Sequence, residues 1–211
     1  MVSPLRRQRD TNRKESTHNA LVMAAIDIFG EKGYHRALIS DIVARAGVGQ
    51  GTFYRNFKNK RQIIDTIMDH FSELLLNQFE SMSVNLPADL GEYQDSSRHA
   101  VLAMARLVEQ NRNLALLLLR EAPTVDRDFE SRVNTLFDQF AELAAFYLDY
   151  AVSKGYARPC NTRIVAQAIV GMGIRHMSIW LCDPKAVDIN ELITELVDFA
   201  FLGMGAHPQQ G

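Results

Sequence analysis

The stretch ISDIVARAGVGQGTFYRNF, Ile39 to Phe57, admits few folds, because two short helical patterns meet there at a glycine. In the first, Ile42, Val43 and Ala46 recur at helical spacing and leave Ser40, Asp41 and Arg45 outside. Gly47 ends it, since glycine enters the left-handed region without the steric cost of a Cβ. Val48 plugs the angle, and Gln50, Gly51 and Thr52 open a second helix. Its Phe53 and Phe57, four apart, face inward, so Gln50, Thr52, Tyr54, Arg55 and Asn56 point out. Helices this short bury too little surface to stand alone. Residues 14–32 supply a partner, with Leu21, Val22, Ala25, Ile26 and Phe29 in one stripe and Gly33 as its close. The segment therefore predicts a helix-turn-helix, whose second helix enters the major groove of DNA.

Charge agrees with that reading. The whole chain stands at -2, yet residues 1–61 hold 12 Lys or Arg against 5 Asp or Glu, a balance of +7 that leaves the rest at -9. This asymmetry points to a polyanion at the N-terminal end. Arg45, Arg55, Lys58, Lys60 and Arg61 gather around the one motif, which a basic tail alone would not explain. Arg55 suits a bidentate pair with guanine, and Gln50 or Asn56 one with adenine. Thr52, Tyr54 and Lys60 suit phosphate oxygens. Arg6, Arg7, Arg9 and Arg13 are candidates for an arm along a groove.

These first sixty residues resemble the DNA-binding domain of the TetR family of bacterial transcriptional regulators. The pieces that carry the resemblance are AAIDIFGEKGY from Ala24 to Tyr34, Asp41 with Ile42, AGVGQGTFYRNF from Ala46 to Phe57, and KNKRQII from Lys58 to Ile64. Such proteins usually place Thr or Ser just before the second helix, where this chain has Leu38 and Ile39. Ser40 is the candidate to take over as cap and phosphate contact. From residue 65 onward the resemblance is one of layout only.

The remaining periodicity is helical throughout, and the expected fold class is all-α. The expected division is a flexible basic arm over 1–13, the helix-turn-helix domain over 14–59, an effector-binding and dimerisation domain over 60–206, and a loose tail over 207–211. A long helix from Lys60 to about Met82 ties the domains together, and 85–95 reads as a loop before a helix from about Ser96 to Glu109. Leu114 to Leu119 is apolar on every side and must be buried. Pro123 and Thr124 read as a break before a helix carrying Phe129, Val133, Phe137, Phe140, Ala144, Tyr147 and Ala151, which Gly155 ends. Two more helices follow, opening at Asn161 and after Pro184. They hold more apolar surface than a peripheral pair needs, in Ile164, Ala168, Gly171, Met172, Trp180, Leu196 and Phe199. We read that surface as the interface of a two-fold homodimer built as a four-helix bundle.

The resemblance implies an effector pocket among the middle helices, whose occupation changes the spacing of two DNA-reading heads. The candidates are Phe71, Leu75, His99, Met104, Leu118, Phe137, Phe140, Tyr147, Arg175 and His176. Their Phe, Leu and Met content suits an apolar or aromatic effector, an acyl chain among them.

Other functions lack their residues. GVGQG, from Gly47 to Gly51, has neither the spacing of a dinucleotide loop nor a strand before it. The six histidines never fall at metal-ligand spacing, and neither GxSxG nor HExxH occurs, so no catalytic residue, metal or cofactor is expected. Cys160 and Cys182 make no CxxC and read as reduced thiols. The basic start leads into polar residues, unlike a signal peptide, and Ile164 to Ile174 is too short to span a bilayer and reads as a buried helix. The expected protein is a cytoplasmic regulator that binds double-stranded DNA as a homodimer and answers to a small effector, without membrane contact. The alternative is a helical small-molecule-binding protein whose basic head touches RNA or non-specific DNA.

Overall fold

The computed structural model describes residues 4–82 and 86–204, with side chains over 12–79, 86–122 and 124–203. The described residues form nine helices and no strand: α1 Pro4–Lys32, α2 Ile39–Arg45, α3 Gln50–Asn56, α4 Lys60–Met82, α5 Leu90–Gln110, α6 Arg112–Val125, α7 Arg127–Ser153, α8 Thr162–Cys182 and α9 Ile189–Met204. The chain divides into two units, residues 1–71 with 113–130, and 72–112 with 131–211. The expected boundary at 59/60 is thus displaced into α4. A segment far along the chain, α6 with the start of α7, joins the first unit, which no local pattern announces.

In the first unit Leu21, Ala25 and Phe29 of α1, Ile42 of α2, Phe53 of α3 and Ile63, Ile64 and Ile67 of α4 are almost wholly buried. Leu114, Ala115, Leu117 and Leu118 of α6 are buried as well, as the apolar run required. The helix expected over 14–32 begins at Pro4, so residues 4–13, read as a flexible arm, are helical. Periodicity detects only a helix that faces a core, whereas this stretch is polar but rich in Arg, a good helix former, behind a proline suited to a first turn. The tail over 207–211 lies outside the described residues.

Two further departures concern the starts of α5 and α7. α5 starts at Leu90 and not near Ser96, because Asp89 caps it: its carboxylate accepts the Glu92 N–H at 2.9 Å, while Glu92 accepts the Ala88 N–H at 2.8 Å. Pro123 and Thr124 do not break the chain but finish the last turn of α6. The break falls at Asp126, in the first unit, whose Oδ1 accepts the Phe129 N–H at 2.9 Å and opens α7. Along α7 the buried positions are Phe129, Val133, Leu136, Ala141, Ala145, Leu148 and Ala151, so Phe137, Phe140, Ala144 and Tyr147 lie at the half-buried margin of the stripe.

The stretch Ile164 to Ile174, expected to be buried, is largely not: Ala166 is its one buried residue, and 17% of the apolar window of α8 is buried. By length and composition α8, with 21 residues and a mean hydropathy of 1.3, could cross a membrane, although it carries Arg163 and Arg175. Ile164 is 63% exposed and Ile179 51%, and on α9 Phe199 and Leu202 reach 68% and 84%. Trp180 departs from this surface. It is buried, and its indole N–H donates to the Val187 carbonyl at 3.1 Å across the α8–α9 turn, so it anchors its own subunit and not an interface.

Candidate DNA-binding site

The turn between α2 and α3 closes as the glycine demands. Gly47 sits at φ +67°. The Val48 N–H donates to the Val43 carbonyl at 3.0 Å and the Gly47 N–H to Ala44 at 3.3 Å, the paired bonds of a Schellman end. Both last-turn carbonyls are satisfied while the chain reverses, and α3 starts three residues later. Phe53 and Phe57 are buried beneath it with ring centroids 5.8 Å apart, which fixes the face that α3 turns outward. Gln50, Gly51, Tyr54 and Arg55 are exposed there, and Thr52 and Asn56 are half-buried.

The outward side chains are already ordered by their own helix. The Arg55 guanidinium donates to the Thr52 hydroxyl at 2.9 Å. The Asn56 amide donates back to the Thr52 carbonyl at 2.8 Å, so its NH2 serves the last turn of α3. Gly51 needs nothing from the protein: its φ is not positive, and a Cβ built there would meet no atom within 4 Å.

Two sequence assignments change. Ser40 is not the cap of α2: the helix starts from Leu38, and Ser40 lies exposed inside the first turn. The Asp41 carboxylate accepts the Leu38 N–H at 3.1 Å in its place. Lys32, 2.9 Å from that carboxylate, and the Leu38 N–H hold it below the usual carboxylate range. Lys60 is not extended toward solvent. Its ammonium donates to the carbonyls of Tyr34 at 2.5 Å, Ala37 at 2.9 Å and His35 at 3.3 Å, and lies 4.5 Å from the Tyr34 ring centroid. Three donors thus meet three carbonyls of the α1–α2 connection, and partial burial lowers the ammonium's affinity for its proton. Lys60 ties α4 to that connection, leaving no N–H for a phosphate.

Two further cations of the motif are likewise engaged. Arg45 reaches back to Glu31 of α1 at 2.8 Å and to Asp27 at 3.5 Å. Arg61 donates to Asp65 at 3.0 Å, to Asp128 at 2.5 Å and to Asp126. Burial alone would lower the Arg61 guanidinium, and hydrogen bonds to Asp65 and Asp128 outweigh it. The local excess of positive charge therefore serves two ends, internal bracing and the exposed face where Arg55 and Lys58 stand.

The bracing brings in residues the sequence reading missed. The Tyr34 N–H, just past α1, donates to the Glu121 carboxylate of α6 at 3.0 Å, and the His35 ring bonds the Thr124 carbonyl. A Cβ on Gly33 would stand 3.0 Å from that same carboxylate. Arg61 with Asp65, one turn apart, could have been found by helical spacing; Asp126, Glu121 and Thr124 lie 65 or more residues from the groups they bond.

The pocket candidates do not form one set. Phe71 and Leu118 are buried in the first unit; the rest belong to the second. His99 and Arg175 are exposed, and His99 bonds the Asp95 carbonyl of its own helix, which removes both from a buried pocket. His176 is half-buried against the Met172 carbonyl. Leu75 is buried, and Met104, Phe137, Phe140 and Tyr147 are half-buried. Among the described residues no group of three or more His, Cys, Asp or Glu is placed to hold a metal ion.

Two short helices joined at a Schellman turn, braced on α1 and α4 and turning a polar, basic face outward, define a helix-turn-helix DNA-binding protein. The family described as bacterial regulatory proteins, tetR family, matches residues 21–67, which spans that unit from α1 into α4. An HTH-type transcriptional repressor of Mycobacterium tuberculosis strain H37Rv is 32% identical over 136 residues, covering 61% of this chain and 70% of its own. The fatty acid metabolism regulator protein of Bacillus subtilis is 22% identical over 195 residues, 90% of this chain and 97% of its own. Among solved structures, the regulator FadR from Bacillus subtilis in complex with stearoyl-CoA superposes with a TM-score of 0.73 at 20% identity, over 87% of this chain and 97% of that one. The chain belongs to the tetR family and is a DNA-binding transcriptional regulator.

Proposed function

We propose that the protein is a cytoplasmic homodimeric repressor, presenting α3 twice to a palindromic operator and released by an apolar effector held in the second unit. The observation that carries the dimer is the exposed apolar surface of α8 and α9, with Ile164, Ile179, Phe199 and Leu202 more than half exposed in the isolated chain. An apolar surface of this kind marks an interaction site. Two-fold symmetry then sets the half-sites about 34 Å apart, one turn of duplex. On each half-site Arg55 and Gln50 face base edges, while Thr52, Tyr54, Lys58 and Ser40 face phosphates.

Gly51 has its place in this reading. Glycine inside a helix costs roughly 0.5–1 kcal/mol relative to alanine, and neither φ nor packing in this protein asks for it. We assign the requirement to close approach of DNA. Gly51→Ala should raise the melting temperature by roughly 2 °C and weaken operator binding about tenfold, ~1.4 kcal/mol. A variant that is stabilised and binds as before would remove Gly51 from the contact.

The effector we infer is an acyl chain. The half-buried aromatic margin of α7 suits one, and the names of the Bacillus subtilis relatives speak of fatty acid metabolism and stearoyl-CoA. Such a ligand shifts the protein between states only by binding one of them more tightly. The test is to select bound fragments from genomic DNA, then titrate the recovered duplex with palmitoyl-CoA. A preference of ~10³ or more over random DNA, lost on adding the thioester, is expected. Binding without sequence preference would favour a non-specific nucleic-acid protein, and a preferred site indifferent to the thioester would exclude the acyl effector.

A further inference from the structure

Among the described residues one buried side-chain oxygen or nitrogen has no hydrogen-bond partner, the hydroxyl of Tyr147. Buried polar groups are nearly always paired, and an unpaired one costs free energy that phenylalanine at the same place would not. Its neighbours sharpen the contrast. Tyr150 donates its hydroxyl to the Pro87 carbonyl at 2.5 Å, and Tyr156 donates to Ala88 at 2.8 Å. These two close the ends of α5 and α7 on one another, while Tyr147, one turn earlier on α7, is left over.

The Tyr147 ring lies among aromatic and apolar side chains, and the Tyr93 phenol is near enough to interact with it electrostatically. The Phe79 ring of α4 stands edge-on to Tyr147 with centroids 6.1 Å apart. Phe79 also lies 6.1 Å from Phe140, two turns before Tyr147 on α7, so the three rings make a continuous row. Tyr147 also packs against the buried cluster of Tyr93, Ala151 and Ala157, as does Phe201 of α9. All of these belong to the second unit. An unpaired O–H donor beside an aromatic row suits a ligand that is an apolar chain with a single acceptor oxygen.

We propose that Tyr147 is the polar anchor of the effector site, its hydroxyl donating to the thioester carbonyl of a bound acyl group whose chain lies along Phe79 and Phe140. This rests on the acyl-effector reading above and names the residue that distinguishes an acyl ligand from a plain hydrocarbon. No bond is made or broken; the hydroxyl gains the partner the fold withholds.

The test pairs two probes with one variant. Palmitoyl-CoA carries the carbonyl, and S-hexadecyl-CoA, its thioether analogue, lacks it. Calorimetric titration of the full chain should show Tyr147→Phe weakening palmitoyl-CoA roughly fivefold to tenfold and leaving S-hexadecyl-CoA unchanged, as a coupling cycle requires. The ligand-free variant should melt no lower than the wild type, since it loses an unpaired hydroxyl and no contact. Equal weakening of both probes would mean Tyr147 only packs, and no weakening of either, a lower melting temperature, or failure of the wild type to bind either probe would also overturn the proposal. The regulatory reading fails separately: palmitoyl-CoA bound through Tyr147 without release of DNA refutes acyl regulation and leaves the anchor standing. Release of DNA by palmitoyl-CoA with no dependence on Tyr147 does the reverse.

Discussion

Replacing both Phe199 and Leu202 by glutamate should yield a folded monomer whose affinity for the operator is lower by a factor on the order of 10² to 10⁴. The two side chains are 68% and 84% exposed, whereas Ile193 and Val197, on the inward side of the same helix, are 2% and 5% exposed. The substitutions therefore fall on the face away from the subunit's own core, and melting should be little altered at protein concentrations where the wild type is already monomeric. Fully burying a Phe or Leu side chain is worth roughly 1.5–3 kcal/mol, and a two-fold interface counts each residue twice. Four buried carboxylates in their place would have to be desolvated without partners, a cost that favours dissociation. The loss in DNA affinity follows from linkage. In a dimer the second head meets its half-site at a high effective concentration, and a monomer forfeits that advantage without any change in α3. Sedimentation velocity and fluorescence anisotropy on one duplex measure the two effects together. A variant that stays dimeric, or a wild type that sediments as a monomer at micromolar concentration, would place the interface elsewhere or remove it.

Arg55→Ala should cost about 1–3 kcal/mol of discrimination at one base pair in each half-site, or up to ~100-fold in preference there. Its guanidinium is exposed and steadied by the Thr52 hydroxyl at 2.9 Å, so less ordering entropy is lost when it meets a base edge. The same position makes the substitution benign for folding, because no buried group loses a partner. Selection of duplexes randomised at each operator position should show relaxed preference at one symmetric pair of positions and ordinary preference elsewhere. Uniform weakening at all positions would instead make Arg55 a phosphate contact, since such contacts carry no sequence information directly. Unchanged binding would exclude it from the interface.

Much of the DNA-binding unit is legible because its determinants are local. Gly47 reports its own φ, and Phe53 with Phe57 reports which side of α3 is inward. The roles of Lys60 and Arg61 are not legible, because a cation near a DNA-binding motif looks the same whether it faces a phosphate or a carbonyl. Lys60 is decided by three carbonyls 23 to 26 residues away, and Arg61 by carboxylates as far as 67 residues on. The place of Ser40 is not legible for a related reason. A serine near a helix start is a candidate cap, but whether it stands at the first non-helical position depends on where the preceding turn delivers the chain, and here that position is Leu38.

By itself the sequence determined the all-α class, the turn at Gly47 and the outward residues of α3, since each depends on torsions and periodicities shared by near neighbours in the chain. Only the tertiary structure decided that α6 belongs with the DNA-binding unit, that Trp180 is bonded within its own subunit, that few residues of α8 are buried, and that the Tyr147 hydroxyl is unpaired. Apolar content says that a residue will be buried against something. Whether that partner is the same chain or another depends on which faces packing has already used, a property of the assembled helices and of no single segment.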